Sequence, residues 1–143
     1  MFKIFGRKPK DGPPNSVGEA KKLMERLGPA RGGEIIRTAA ISGNVFCQVF
    51  MSQMALCILA DGENEKIKRD LEMFTEMAAK SGDAGSQFNL GKLYMAKIDA
   101  NVEYFSPEDI ENIKQAKHWY SMAAKQGLRE AKASLKNLEV FEF

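Results

Sequence analysis

Apolar side chains along this chain recur every three or four positions, the spacing that gathers them on one face of an α-helix. No segment alternates apolar and polar residues strictly over six or more positions, so no strand is predicted. Punctuation divides the periodic region into seven helices. Asn15 or Ser16 caps the first, Glu19 stands three residues after Ser16 as a capping box prefers, and Gly28-Pro29 ends it. A second is expected over about 33–42, stopped by Gly43, and a third over about 44–60, stopped at Asp61-Gly62. The fourth covers about 64–81 and ends at Gly82; the fifth follows over about 83–97. Residues 98–105 read as irregular. Ser106 then caps a sixth helix, with Pro107 at its first position and Asp109 three after the cap. That helix ends near Gly127, and a seventh fills about 128–140.

One short string recurs. It reads Ala39-Ala40-Ile41-Ser42-Gly43-Asn44, then Ala78-Ala79-Lys80-Ser81-Gly82-Asp83, then Ala123-Ala124-Lys125-Gln126-Gly127-Leu128. Recurrence after 39 and then 45 residues signals stacked supersecondary units, with an insertion around 102–106 accounting for the longer interval. The string has a physical reading. Paired alanines admit a neighbouring helix, the glycine stops its own helix, and Asn or Asp next caps the following one. Flanking positions repeat as well: Gln48 matches Gln87, Met51 matches Leu90, Ser52 matches Gly91, Leu71 matches Ala116, and Phe74 matches Trp119. The expected fold is therefore all-α, a short α-α solenoid of about three helix–turn–helix repeats over residues 15–143, preceded by a leader over 1–14.

The run Ser86-Gln87-Phe88-Asn89-Leu90-Gly91-Lys92-Leu93-Tyr94 resembles the first helix of a Sel1-like repeat, a relative of the tetratricopeptide repeat common in bacteria. Ala116, Trp119, Tyr120, Ala123, Ala124 and Gly127 fit that family's second helix position for position. One unit, 82–127, matches strongly. In the unit 43–82, Ser52 stands for the glycine, Ala55 for the tyrosine, and Phe74-Thr75 for Trp-Tyr; residues 15–43 keep only the corner. The resemblance implies a right-handed solenoid of antiparallel helix pairs serving as an adaptor or scaffold. Periplasmic members carry a cysteine pair in each unit. This chain lacks such pairs, which argues against that branch and against the penicillin-binding activity proposed for it.

Composition narrows the function further. At 44% apolar and 28% charged, the 143 residues are ordinary for one soluble domain with a sizeable core. The net charge of +2 is too near neutral to argue for nucleic-acid binding. Lys3, Arg7, Lys8 and Lys10 concentrate positive charge in the leader, which reads as a solvated tail or as a contact for an acidic surface. No apolar run reaches the roughly 18 residues of a membrane span. The start is basic without the apolar stretch of a signal peptide, so a cytoplasmic location is expected. Cys47 and Cys57 fall ten residues apart on one predicted helix, about 15 Å along its axis, whereas a disulfide needs Cα atoms within about 7 Å. Both are expected to be buried, unreactive thiols.

Candidate chemistry is sparse. His118 has no cysteine or acid at metal-ligand spacing on its helix, and the Glu108, Asp109 and Glu111 cluster suits a helix start. No phosphate loop, zinc spacing or nucleophile–base motif occurs, so neither enzyme activity nor a cofactor or metal is expected. The positions that line the inner face in tetratricopeptide-type solenoids give a candidate protein-binding groove. They are Phe46, Val49, Gln53 and Leu56 on one helix and Phe88, Asn89, Lys92 and Met95 on the next. The alternative is that these residues pack against the solenoid itself. Tyr104 and Phe105 in the inserted loop form a possible second contact, or fold back over the repeats. Leu138, Val140, Phe141 and Phe143 are expected to cover the last repeat's apolar edge or to join two copies. The partner expected is a protein or peptide, with no nucleic acid and no membrane insertion. An immunity-type inhibitor of a cognate toxin or enzyme is the narrower alternative, and a small enzyme the least favoured.

Overall fold

In the computed structural model, which describes residues 13–143, six helices follow one another and no strand occurs among the described residues. They are α1 (Val17–Ile41), α2 (Val45–Ala60), α3 (Glu65–Lys80), α4 (Ala84–Met95), α5 (Pro107–Lys125) and α6 (Arg129–Leu138). Each helix packs on the next along the chain, from α1 on α2 through to α5 on α6. The all-α repeat architecture is therefore as expected. Most of the expected leader, residues 1–12, lies outside the described residues. Pro14 is buried, and its carbonyl accepts a hydrogen bond from Asn44 Nδ2 at 2.9 Å.

Two helices expected at the start are found as one element. The reason is Gly28, whose φ of 83° and ψ of 163° break the helix in a single residue. Only glycine adopts that conformation cheaply, and Pro29 directly after it is preorganised for a first helical turn. The second arm thus begins at once, with no connecting loop, rather than near Gly33. The break reverses the chain. Residues eight apart in a straight helix are about 12 Å apart, yet a Cβ at Gly32 would lie 2.9 Å from Met24 Cα. The two arms of α1 are the first helix pair, α2 and α3 the second, α4 and α5 the third; α6 closes the array.

The corners form as the recurring string dictates. Gly43, Gly82 and Gly127 all take positive φ. Asn44 accepts from Cys47 N–H and Asp83 from Ser86 N–H, so each caps the following helix. Leu128, in the same place of the third corner, offers no side-chain cap to α6. Ser106 and Asp109 form the expected reciprocal capping box at the start of α5.

The core falls into sections, as a stacked array requires. One section joins α1, α2 and α3 through Leu23, Ile36, Cys47, Phe50 and Phe74. Another joins α5 and α6 through Ala116, Tyr120 and Leu138, with Phe88, Tyr94 and Met95 of α4 packed against it. A clamp on the outer helices supplements the first. Arg37 donates to both carboxylate oxygens of Asp70, at 2.8 and 3.0 Å, and its guanidinium lies 5.2 Å from the centre of the Phe74 ring. The hydrogen bonds and charge of Asp70 outweigh partial burial and hold the Arg37 guanidinium above its ordinary pKa.

The matched glutamines form a polar ladder through the corners. Gln48 Nε2 donates to Ala40 O at 3.0 Å, and Gln87 Nε2 donates to the equivalent Ala79 O at 3.2 Å. Each side-chain carbonyl also accepts from the corner that follows. Ser81 Oγ donates to Gln48 Oε1 at 3.1 Å, and Gln126 Nε2 donates to Gln87 Oε1 at 2.9 Å. Both glutamines are 2% exposed, so each buried amide joins two successive corners.

Candidate functional site

The sequence of α2, VFCQVFMSQMALCILA, contains no charged residue. A helix apolar on every side has more hydrophobic surface than one neighbour can cover. Its inner positions Cys47, Phe50, Ser52 and Ala55 are buried. Its outer positions stay in solvent: Phe46 is 39% exposed and Leu56 43%. Gln53 and Cys57 are exposed beside them, and Val49 is half-buried. Phe46 and Cys57 are 11 residues apart, close to three whole turns, so Cys57 belongs to the same stripe as Phe46, Gln53 and Leu56.

The expected positions on α4 are placed differently. Phe88 is half-buried, with its ring 5.6 Å from that of Tyr120. Met95 packs against the α5–α6 section of the core, and Asn89 is half-buried. Lys92 is exposed, its ammonium 5.0 Å from the Phe88 ring centre. The α4 positions thus offer a polar and cationic surface over a packed aromatic, whereas α2 offers bare apolar side chains. The inserted loop divides likewise. Phe105 turns inward, 5.5 Å from the Phe141 ring and 6.5 Å from that of Phe143, while Tyr104 is 80% exposed. The C-terminal residues are held there by Lys117, whose ammonium donates to the Phe141 carbonyl. Leu138 is buried, but Val140 remains 75% exposed.

Titratable groups are shifted by the fold rather than by a polar cleft. Cys47 is fully buried, and loss of hydration pushes its thiol up to about 11. Burial likewise raises the Tyr120 phenol. Lys80 is raised by its hydrogen bond and charge pairing with Glu76. His118 is exposed and lies edge-on to Trp119. Among the described residues no group of three or more His, Cys, Asp or Glu side chains could hold a metal ion, and no helix is long and apolar enough to cross a membrane.

Both cysteines are free, as their spacing requires, but they are not alike. Cys57 is exposed, contrary to the expectation of two buried thiols, because ten residues along a helix turn it about 80° from Cys47, onto the solvent side beside Phe46 and Gln53. Native protein treated with maleimide at neutral pH should therefore modify one thiol, at Cys57, and urea-unfolded protein two. Ionisation of Cys47 also sets an alkaline limit. Its folded pKa of about 11 exceeds the ordinary 9.0, so the stability it contributes is complete below pH 9 and is lost as pH rises toward 11. A Cys47→Ala variant should show a shallower fall in urea midpoint between pH 9 and 11.

No protein-family model matches the chain, and no curated protein matches it. A solved structure does: a Sel1 repeat protein from Oxalobacter formigenes, 22% identical, with a TM-score of 0.60 and 85% of each chain covered. At that identity the likeness establishes a shared fold, a helical-repeat solenoid.

Proposed function

We propose that this chain is a non-catalytic protein-interaction module, acting in the cytosol, that holds a protein or peptide segment against the first helices of its repeats. The observation that carries this reading is the bare apolar stripe of α2. Phe46 and Leu56 are more than a third exposed on a helix without a charge, and nothing in the chain's own described fold covers them. An apolar stripe with Gln53 as a polar anchor suits an amphipathic helix laid into a groove. Lys92 on α4 supplies a cation at the edge of the same face of first helices. A Sel1 repeat protein's fold supports the reading, since stacked helix pairs present extended inner surfaces to partners.

The test is capture from lysate by immobilised protein, comparing the wild type with Phe46→Glu/Leu56→Glu. Both positions are exposed, so the charges should leave the free energy of urea unfolding within about 0.5 kcal/mol of the wild type. A protein retained in stoichiometric amount by the wild type and reduced at least tenfold by the variant is the expected result. Equal retention by both would remove the α2 stripe from the binding surface.

A further inference from the structure

The corners lie at one end of the helix pairs. At the other end, between the tight α2–α3 turn and the longer α4–α5 connection, two adjoining hollows of about 220 and 80 Å³ share Glu72 and Leu93 as a common wall. Leu59, Leu71, Leu90, Leu93 and Tyr94 supply their apolar lining. The charged lining is unequal. Glu63, Glu65, Glu72 and Glu76 face only Lys68 and Lys97. Lys97 is itself engaged, with its ammonium 5.2 Å from the Tyr94 ring centre, and Glu76 is paired with Lys80 at 2.8 Å. Glu72 is half-buried and has no hydrogen bond or ion pair among the described residues.

A carboxylate drawn partly out of water beside aliphatic side chains is under-solvated unless a cation meets it. Glu72 stands where the two hollows meet, so one ligand can present a cation to it and an aliphatic side chain to the larger hollow. We propose that this end groove is a second docking site, distinct from the α2 stripe, for a partner peptide in which arginine or lysine alternates with large aliphatic residues. Charge complementarity selects the partner: with Glu76 already paired to Lys80, Glu63, Glu65 and Glu72 still outnumber the ammonium groups of Lys68 and Lys97, which disfavours an acidic segment and draws in a basic one. The aliphatic floor distinguishes such a peptide from a merely basic one. Because this site shares no residue with the α2 stripe, either can fail without the other.

Fluorescence anisotropy with labelled ten-residue peptides tests the proposal on the full chain. Alternating leucine and arginine should bind, more weakly at higher salt, and alternating leucine and glutamate should not. Alternating serine and arginine should bind at least about fivefold more weakly than the leucine–arginine peptide. Glu72→Gln should cost at least about fivefold in affinity, about 1 kcal/mol, with an unchanged urea midpoint. Glu108→Gln, an exposed carboxylate at the start of α5, and Phe46→Glu should cost nothing. Absence of binding, equal binding of the serine–arginine peptide, or indifference to Glu72→Gln would overturn the proposal. Tighter binding by a Lys3→Glu/Arg7→Glu/Lys8→Glu variant would show the chain's own basic end competing for the groove, which would overturn a partner supplied in trans.

Discussion

Gly91→Ser should destabilise the fold by about 3 kcal/mol, while the same change in a Tyr120→Thr background should cost less than about 1 kcal/mol. A Cβ at Gly91 would lie 2.5 Å from Tyr120 Cε1 and 2.6 Å from its Cδ1. The ring has little freedom to retreat, being 4% exposed and packed against Phe88. Tyr120→Phe keeps both clashing atoms and should give no relief. The preceding repeat carries the complementary solution. Ser52 occupies the glycine position and Thr75 the tyrosine position, both fully within the core. The degenerate repeat has therefore exchanged a small–large pair for a medium–medium pair across the same helix crossing. Urea unfolding of the four proteins in the cycle measures the coupling, expected to exceed about 2 kcal/mol. Additive costs would mean that the crossing can open to admit a side chain.

The second large effect is expected at Gln87. Gln87→Leu keeps the apolar bulk but removes the donor to Ala79 O and the acceptor for Gln126 Nε2. Leaving buried polar groups without partners costs about 1–3 kcal/mol each, against about 1 kcal/mol for an ordinary hydrogen bond. A loss of about 2–4 kcal/mol in urea unfolding is expected for Gln87→Leu. Gln126→Ala should cost under about 1 kcal/mol, since Gln126 is exposed and water can replace it. Equal costs would mean that the corner ladder contributes no more than a surface contact.

These two positions show what the sequence could and could not reveal. The recurring corner string located three helix junctions, because paired alanines, a stop glycine and a cap are local requirements of the backbone. The matches of Gln48 with Gln87 and of Ser52 with Gly91 were visible as repetition. Their reasons were not, since each glutamine's second partner comes from the next corner, 33 or 39 residues away, and the ring that fills the space at Gly91 comes from α5. The Arg37–Asp70 clamp left no trace, being 33 residues apart and present in one unit only. The break at Gly28 was legible as a boundary. A one-residue reversal in place of a loop was not, because it depends on Gly32 meeting the Met24 backbone.

The candidate site was legible unevenly for the same kind of reason. The Phe46 to Leu56 stripe was reached through the inner-face positions of tetratricopeptide-type solenoids, and the lack of any charge on α2 gives the physical reason that some of its apolar residues stay outside. Its continuation onto α4 depended on how Phe88 meets Tyr120, and there packing claimed half the positions. The exposed Cys57 on the stripe was missed, since a cysteine's surroundings decide its burial. The end groove was missed because its walls come from the end of α2, the turn before α3, and α3 and α4, segments that no local pattern brings together.

Cys57 makes the central claim directly measurable, since it is a natural reporter within the α2 stripe. Purified protein and protein held in complex with its captured partner are treated briefly with maleimide, and modification of Cys57 is read by mass spectrometry. Binding across the stripe predicts rapid modification of the free protein and at least tenfold slower modification in the complex, with Cys47 unmodified in both. Equal modification of Cys57 in the two states would contradict the account and place the partner elsewhere on the solenoid.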